Sequence, residues 1–285
     1  MSSPLIEFKK VCYTYAGGNR PALQELNLTI PVGQKTAILG HNGCGKSTLL
    51  FLADGLYRCN SGVICWQGKP LKYDSSSLNI WRERIGLAFQ DPEQQLVAAT
   101  VAEDISYGLC NLQLSRTEIE QRLQQTLIDF SLKELANSPL HHLSLGQKRR
   151  VALAGVMVLQ PQLLLLDEPT AYLDSLQTQN LLQELDRIHL QGTTIVMATH
   201  DLDLAYSWAD VIIVLHQGRM VLSGETLAVF TDVNLLAELQ LGMPTLLEVW
   251  YSFPEQFRPS ELNPPRTITQ LRSYQKKMYD RYYQV

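Results

Sequence analysis

The sequence is poor in the residues that build disulfide frameworks and structural zinc sites. It has five cysteines, an odd number, and no two of them form a C-x-x-C pair, so neither kind of site is predicted. Apolar runs are also short. None approaches the roughly 18 residues of a membrane-spanning helix, and the N-terminus has no apolar stretch of secretory length. We therefore expect a soluble, cytoplasmic protein with reduced thiols.

A strong excess of basic residues is absent too. The chain has 24 Lys and Arg against 28 Asp and Glu, a net charge of −4, and a sequence pI near 5.9. This balance argues against a protein that holds nucleic acid through a broad basic face. With 285 residues, 45% of them hydrophobic, the chain is long enough for one large domain and an appendage.

The stretch Gly40–Thr48 matches G-x-x-x-x-G-K-[ST], the phosphate-binding loop. The apolar run Thr36–Leu39 precedes it and Leu49–Leu52 follows at helical spacing, which predicts strand, loop and helix. Glycines let backbone N–H groups surround a polyphosphate, and the helix directs its positive end at the same anion. Lys46 is predicted to reach the outer phosphates, and Ser47 to offer its hydroxyl to Mg²⁺. The predicted nucleotide-binding residues of this loop are Gly40, Asn42, Gly43, Cys44, Gly45, Lys46, Ser47 and Thr48.

Two later strands are predicted to deliver polar side chains to the same region. The apolar run at 163–166 ends in Asp167 and Glu168. Asp167 is suited to hold Mg²⁺ through water, and Glu168 to orient or deprotonate an attacking water. Adjacent carboxylates are usually just solvated, but the end of a buried strand favours the catalytic interpretation. Strand 194–199 delivers His200 to the ligand side of the sheet, where it can donate to a terminal phosphate.

Two further residues carry weaker signals. The strand at 85–89 ends in Gln90, whose neutral oxygen would lie near the metal ion or its water, although such a glutamine is more often a plain loop residue. Tyr15 ends the β-like segment 5–15 beside a glycine-rich turn. Its ring is able to stack on a base, which contributes about 1–3 kcal/mol. On spacing alone, an ordinary strand tyrosine is supported equally well.

The segment from Asp91 to about residue 142 has a helical pattern. The sequences at 100–103 and 115–118 each fit a capping box, and apolar residues follow the second at helical spacing. A helical insert is therefore predicted.

The segment 143–150 predicts a second phosphate-binding position. Ser144 is placed to cap a helix, so that the N-terminal backbone amides of this helix, Gly146 and a hydroxyl group lie together at an exposed corner that binds phosphate. The simplest target is a nucleotide on another subunit; the alternative is a capped helix with a solvated basic first turn.

In order and separation, these motifs resemble the nucleotide-binding subunit of ATP-binding-cassette (ABC) transporters over about residues 5–225. The matching features are the loop at 40–48, Gln90, LSLGQ at 143–147, LLLLDE at 163–168, Asp174 and His200. The resemblance implies that ATP and Mg²⁺ bind, with Tyr15 stacking on adenine. It assigns Gln90 the link between Mg²⁺ and the transport partner, and His200 the γ-phosphate switch. The signature that contacts the opposite subunit's ATP comprises Ser144, Gly146 and Gln147.

The same resemblance implies an α/β fold with a P-loop NTPase core. A RecA-like mixed sheet would carry an antiparallel β subdomain, a helical subdomain inserted at about 91–159, and a short C-terminal helical extension. The ATPase domain would span 1–225 and the extension 226–285. Two chains, identical or different, would close head to tail on two ATP molecules at the cytoplasmic face of the membrane. Expected partners are a membrane-embedded scaffold and a substrate-binding subunit, with no nucleic acid.

A narrower resemblance lies in the segments at 89–105 and 147–155. They are similar to the ATPases of energy-coupling-factor importers, particularly the cobalt and nickel branch. This resemblance implies uptake of such an ion or of a vitamin.

One position departs from the family, because Leu145 stands where the signature usually has glycine. In the extension, short helices are expected at 235–241 and 245–250 for dimer contacts. The aromatic, basic tail from Pro254 either binds RNA or a membrane surface, packs as a helix on the body, or forms a loose end.

The alternative function is a soluble ABC-class ATPase that acts on DNA or ribosomes. Repair and chromosome types of the family carry long coiled-coil or zinc-bearing inserts between the phosphate loop and the signature. Ribosomal types carry two cassettes in one chain. This chain has only about 95 residues in that interval and a single cassette, which favours the transporter interpretation.

Overall fold

The computed structural model describes residues 4–112, 114–258 and 261–283, and these residues form an α/β fold. The strands are β1 Pro4–Tyr13, β2 Leu23–Pro31, β3 Lys35–Leu39, β4 Ser61–Trp66, β5 Lys69–Pro70, β6 Ile85–Ala88, β7 Leu163–Asp167, β8 Thr194–Thr199, β9 Val211–His216 and β10 Arg219–Glu225. The helices are α1 Lys46–Asp54, α2 Ser75–Arg84, α3 Val101–Cys110, α4 Arg116–Asp129, α5 Leu145–Met157, α6 Ser175–Leu190, α7 Leu202–Trp208, α8 Thr226–Thr231, α9 Val233–Glu238, α10 Thr245–Ser252 and α11 Ile268–Tyr283.

The strands form two sheets. One is antiparallel with the order β2-β1-β4-β5, and the other is a six-stranded sheet with the order β10-β9-β3-β8-β7-β6. Within the larger sheet, β3 and β6 to β9 run parallel, and only β10 is antiparallel to its neighbour. The mixed sheet and the antiparallel subdomain predicted from the sequence are therefore present.

The central parallel strands are buried on both faces, which explains their unbroken apolar sequences. Every residue of β7 and β8 is buried. Alternate side chains enter two separate cores: Leu164 and Leu166 pack with the helices, whereas Leu163 and Leu165 pack with the antiparallel sheet and α1. Because parallel strands end at the same edge of a sheet, the residues that follow β3, β7 and β8 are brought together there.

Helix capping follows the sequence in part. The box at Thr100 is complete, since Glu103 N–H donates to the Thr100 hydroxyl (3.4 Å) and the Glu103 carboxylate accepts from Thr100 N–H (3.1 Å). Ser115 also caps its helix by accepting from Glu118 N–H at 3.2 Å. The second box is nevertheless wrong as a reciprocal pair, because the Glu118 carboxylate instead accepts from Arg122 at 2.8 Å, one turn further along α4.

The C-terminal extension is helical and contacts the body. Helices α9 and α10 lie close to the two predicted positions. The tail forms α11, and its Tyr274 ring lies 5.7 Å from the ring of Trp250 in α10. Just before α11, the Arg266 guanidinium donates to the carbonyl of Tyr206 at 2.8 Å. The helix-on-body alternative thus describes the tail, although the side chains of Tyr282 and Tyr283 lie outside the described part. None of the helices in the described ranges has the length and apolar character that crossing a bilayer requires.

Asp54, at the end of α1, is expected to destabilise the fold in a pH-dependent way. Burial raises its pKa from 3.8 to about 6, and nearby Arg82 only partly opposes this. Because the folded-state pKa lies above the unfolded value, the ionised carboxylate destabilises the fold above pH 6, and the effect fades as the pH falls toward 4. Asp54→Asn should therefore stabilise by about 2 kcal/mol at pH 8 and by less than half of that at pH 4.5. Denaturant unfolding at both pH values measures this, and equal gains would contradict it.

Candidate functional site

The loop after β3 has a backbone that only glycine fits. Gly45, at the N-cap of α1, has φ +111°, and a Cβ there would lie 2.8 Å from the carbonyl oxygen of Ala22. Gly40 is similarly crowded, because a Cβ would lie 2.3 Å from the carbonyl oxygen of Leu215. These glycines allow the loop to pass close to neighbouring backbone and still present its amides at the start of α1.

Lys46 lies at the centre of this site. Its side chain is buried, and Nζ donates to the carbonyl of Gly40 at 2.7 Å and to that of His41 at 3.5 Å. The same nitrogen is 3.5 Å from Glu168 Oε1. The ammonium group is thus held between the phosphate loop and the carboxylate that follows β7.

The two carboxylates at the end of β7 are both buried, and each has an oxygen without a hydrogen-bond partner, Oδ1 of Asp167 and Oε1 of Glu168. Burial raises the pKa of Asp167, while a hydrogen bond from the Ser47 side chain opposes the shift. An unsatisfied buried oxygen costs about 1–3 kcal/mol. Glu168 Oε1 already has the Lys46 ammonium group 3.5 Å away, so the Asp167 oxygen is the one that favours a further bound cation.

The residues present fit Mg²⁺. The orphaned Asp167 oxygen and the Ser47 hydroxyl are hard oxygen donors, which is the ligand type that Mg²⁺ prefers. In the part of the chain that is described, no group of three or more His, Cys, Asp or Glu side chains is able to hold a metal by itself. A hard cation here would thus take its remaining ligands from phosphate oxygens and water, as Mg²⁺ does in nucleotide sites.

Glu168 is held in an unusual backbone conformation. Its φ is +43°, a left-handed value that costs energy for a residue with a side chain. The residue begins a tight turn, 168–171, that Ala171 N–H closes by donating to the Glu168 carbonyl at 3.1 Å. In this geometry Oε2 lies 3.0 Å from Nδ1 of His200, whose ring is otherwise largely exposed. The turn therefore places one carboxylate between Lys46 and His200.

Most of the predicted residues line one open cleft of about 620 Å³. At its edge, the Tyr15 hydroxyl lies 2.8 Å from the Thr48 hydroxyl, and the Tyr15 ring packs edge-on against Tyr13 and Tyr57. Sequence reasoning missed Tyr172, which also lines the cleft and is 83% exposed. The predicted residues that line the cleft are Tyr15, Asn42, Gly43, Gly45, Lys46, Ser47, Thr48, Gln90, Asp167, Glu168 and His200.

Two predicted residues of the phosphate loop, Gly40 and Cys44, do not line the cleft. The Cys44 side chain is buried in the core beside β3 and α1, and burial raises the pKa of its thiol. The helix N-terminus next to Cys44 does not make it a reactive thiolate, because desolvation outweighs the nearby Lys46 charge. Any contact of Cys44 with a nucleotide would thus be made by its backbone.

The signature residues lie elsewhere in the chain. Ser144 caps α5 by accepting from Gln147 N–H at 3.3 Å, and the Gln147 side chain accepts from Ser144 N–H at 2.8 Å. Together with Gly146 they line a separate cavity of about 330 Å³. Asp174 caps α6 by accepting from Gln177 N–H at 2.7 Å. Within one chain, these residues are not brought to the phosphate loop.

Leu145 begins α5 and is 38% exposed. Its side chain does not line the signature cavity, so glycine at this position would remove surface rather than core packing. We expect Leu145→Gly to leave ATP affinity unchanged and at most to raise turnover. Nucleotide titration and a phosphate-release assay, with Leu145→Ala as the matched control, measure both quantities. A collapse of turnover in the glycine variant would show that the leucine is required.

The basic first turn of α5 is not uniformly solvated. Arg150 is exposed, but Arg149 is buried and donates to three backbone carbonyls. Sequence reasoning missed this residue. A usable signal was its helical spacing from the apolar Leu153 and Val156, which places position 149 on the buried face of α5.

Comparison with known proteins gives one family. Residues 23–171 match the family model described as ABC transporter. The chain is 56% identical to an ABC transporter ATP-binding protein of Thermosynechococcus vestitus over 95% of this chain and 94% of the relative. It is 41% identical to the cobalt import ATP-binding protein CbiO of Rhodobacter capsulatus (87% and 88%) and 39% identical to the energy-coupling factor transporter ATP-binding protein EcfA of Carboxydothermus hydrogenoformans (92% and 96%).

Solved structures agree with the fold. The structure of cbiO1 from Clostridium perfringens, described as part of the ABC transporter complex cbiONQ, matches with a TM-score of 0.74 and 38% identity, over 84% of this chain and 95% of that one. A dimeric post-hydrolysis state of the ATP-binding cassette MJ0796, bound to ADP and Pi, matches with a TM-score of 0.70 and 29% identity, over 78% and 98%. These matches confirm the predicted α/β P-loop fold.

Proposed function

The chain belongs to the ABC transporter ATP-binding family, and from this premise we propose that it powers solute import through membrane partner subunits. As a member of this family it is an ATPase that binds ATP and is related to the energy-coupling-factor and cobalt importer ATPases. The observation that carries the proposal is that Lys46, Glu168 and His200 meet at one sheet edge, beside a buried Asp167 oxygen that has no hydrogen-bond partner.

For ATP binding, we assign the phosphates to the loop amides and Lys46, and the base to Tyr15. The position of Lys46 supports this assignment. Its ammonium group already contacts the Gly40 carbonyl and the Glu168 carboxylate, and the outer phosphates would become a further charged acceptor for it. The Ser47 hydroxyl and Asp167 would hold Mg²⁺, which would neutralise phosphate charge when bound. Gly40, Asn42, Gly43, Cys44, Gly45 and Thr48 complete the proposed contacts.

For hydrolysis, we assign Glu168 the role of orienting or deprotonating the attacking water. Phosphoryl transfer depends mostly on positioning and on stabilising charge, so a carboxylate held by a rigid turn suits the reaction. His200, hydrogen-bonded to Glu168 and otherwise exposed, is suited to contact the terminal phosphate. Gln90 lines the cleft, and its side-chain oxygen would be available to the metal ion or its water.

A second cassette is proposed to complete the nucleotide site. Because Ser144, Gly146 and Gln147 lie apart from the phosphate loop of their own chain, a partner's signature would have to supply these contacts. The similar cassette MJ0796 is described as dimeric with ADP and Pi bound, which supports this arrangement. Asp174 would lie near the same interface. The partner cassette is either a second copy or a different ABC ATPase.

We propose that the ATPase domain spans 1–225, with helices inserted at about 91–159, and that the extension at 226–285 contributes dimer contacts. The chain would act at the cytoplasmic face of the membrane, with a membrane-embedded scaffold and a substrate-binding subunit. The proposed cargo is a transition-metal ion, cobalt or nickel, or a vitamin. Similarity to a cobalt import protein and to an energy-coupling-factor ATPase supports this class of cargo.

The proposal is tested by purifying the tagged chain from native membranes in mild detergent and identifying its partners by mass spectrometry. We expect to recover a multi-span scaffold protein and a small membrane subunit whose identity points to the cargo. Recovery of a different cassette ATPase would show that the two cassettes are not identical. A tagged Lys9→Ala variant, altered only in a surface ion pair with Glu7, serves as a matched control for the recovery. Ribosomes or DNA-bound proteins without any integral membrane protein would favour the soluble ABC-class ATPase instead.

A further inference from the structure

Arg149 connects the signature helix to two of the loops that carry proposed catalytic residues, those of Gln90 and Glu168. It lies in α5 and is 7% exposed. Its Nη1 donates to the carbonyls of Pro169 (2.5 Å) and Ala171 (2.8 Å), and its Nη2 donates to the carbonyl of Gln90 at 3.0 Å. One guanidinium group therefore holds the turn after Glu168 and the loop at Gln90 from the same side.

The three carbonyl contacts at position 149 require arginine, and lysine would not replace it. Burial lowers the pKa of the Arg149 guanidinium group, and Asp91 opposes the shift; the buried group has lost its solvation. A buried charge is tolerated where hydrogen bonds replace its water. The planar fork of arginine reaches three carbonyls on two loops, whereas the ammonium group of lysine is a single point on a flexible chain.

The turn that Arg149 binds is strained. Glu168 and Tyr172 both have left-handed backbone angles, with φ of +43° and +64°, although neither is glycine. Such conformations persist only where surrounding contacts over-determine them. The two carbonyls that accept from Arg149 lie between these residues. Arg149 thus holds the turn in the conformation that points the Glu168 carboxylate at Lys46 and His200.

The segment 89–95, here called the glutamine loop, is attached to α5 at further points. The Gln95 side chain accepts from Phe89 N–H at 3.1 Å and donates to the Ala152 carbonyl at 3.0 Å. Lys148 forms an ion pair with Glu93. With the bond from Arg149, α5 and the glutamine loop are expected to move together.

We propose that Arg149 is a positioning residue that keeps Glu168 and Gln90 in working geometry relative to α5. The inference rests on the proposed function, because it concerns the turnover of ATP. Arg149 lines the signature cavity with Ser144, Gly146 and Gln147, but lies outside the residues that line the nucleotide cleft of its own chain. Its loss should therefore lower the rate of hydrolysis and leave the affinity for ATP nearly unchanged.

The test uses the full-length chain purified with its partners. In Arg149→Lys, which keeps the charge, kcat is expected to fall about 10- to 100-fold, while the Kd for ATP stays within about threefold of the wild-type value. Arg116→Lys is the matched control, because Arg116 is 93% exposed in a surface ion pair with Glu120. Arg149→Met removes the charge and should lower kcat further; if it does not fold, Arg149→Lys carries the test.

A second readout separates positioning from general stability. Hydrogen exchange of the amides at 168–173 and 89–95 should quicken in Arg149→Lys, while exchange in α4 stays as in the wild-type chain. The inference is contradicted if folded Arg149→Lys keeps the kcat of the Arg116→Lys control, or if its Kd for ATP rises with kcat unchanged. A wild-type chain without ATPase activity would overturn the proposed function and this inference together.

Discussion

Glu168→Gln is expected to lower ATP turnover by about two orders of magnitude or more. The substitution keeps the shape of the side chain but removes the group that would accept a proton from water. It also removes a charge that lies 3.5 Å from Lys46 and 3.0 Å from His200. ATP affinity should stay the same or improve slightly, because one negative charge beside the phosphates is lost. Phosphate release measures turnover, and titration with ATP measures affinity.

The matched control for this variant is Glu120→Gln, since Glu120 is 62% exposed on α4 and forms a surface ion pair with Arg116. That substitution should leave both quantities unchanged. Near-normal hydrolysis by Glu168→Gln would remove Glu168 from the proposed mechanism. A parallel loss of ATP binding would instead indicate that the carboxylate maintains the structure of the site.

Lys46→Ala is expected to weaken ATP binding about tenfold or more. A charge-assisted hydrogen bond to phosphate contributes about 1.5–3 kcal/mol, which corresponds to roughly 10- to 150-fold in affinity. The lysine is buried and already anchored to Gly40, so little side-chain freedom is lost when ATP binds. The substitution also leaves the buried Glu168 carboxylate without its cationic neighbour, which adds repulsion toward phosphate.

Calorimetric titration of ATP into Lys46→Ala measures this effect, and Lys35→Ala serves as the control. Lys35 forms an ion pair with Asp186 near the protein surface. The Lys35→Ala variant should therefore bind ATP as the wild-type chain does. Unchanged affinity in Lys46→Ala would argue that the phosphates lie elsewhere than over the start of α1. Measuring Lys46→Ala and Glu168→Gln side by side separates the binding role from the hydrolytic role.

Sequence reasoning located the cleft because its parts follow local rules. The phosphate loop is a contiguous motif, and Glu168 and His200 each follow a short buried strand, so parallel pairing brings them to the same edge. The fully apolar sequence of β7 also predicted burial on both faces. Each of these inferences needed only neighbouring residues and the period of a strand or helix.

Contacts between distant segments were less accessible. The bonds from Arg149 join positions 22 and 59 residues away, and helical spacing places position 149 on the buried face of α5 without indicating these partners. The reciprocal capping bond at Ser115 was wrong because an Arg122 side chain competes for Glu118. The phosphate-loop motif also does not reveal that the Cys44 side chain enters the core. In each case, a long-range or competing partner decided the outcome.

The most direct test of the account is transport by the purified complex. The chain and its co-purified membrane partners are placed in lipid vesicles with ATP on the cassette side, and uptake of labelled cobalt, nickel and a panel of vitamins is measured. We expect one of these solutes to accumulate only when ATP is present, and Glu168→Gln to abolish its accumulation. If none accumulates while ATP is hydrolysed equally with and without the membrane partners, the chain does not power an importer of this class.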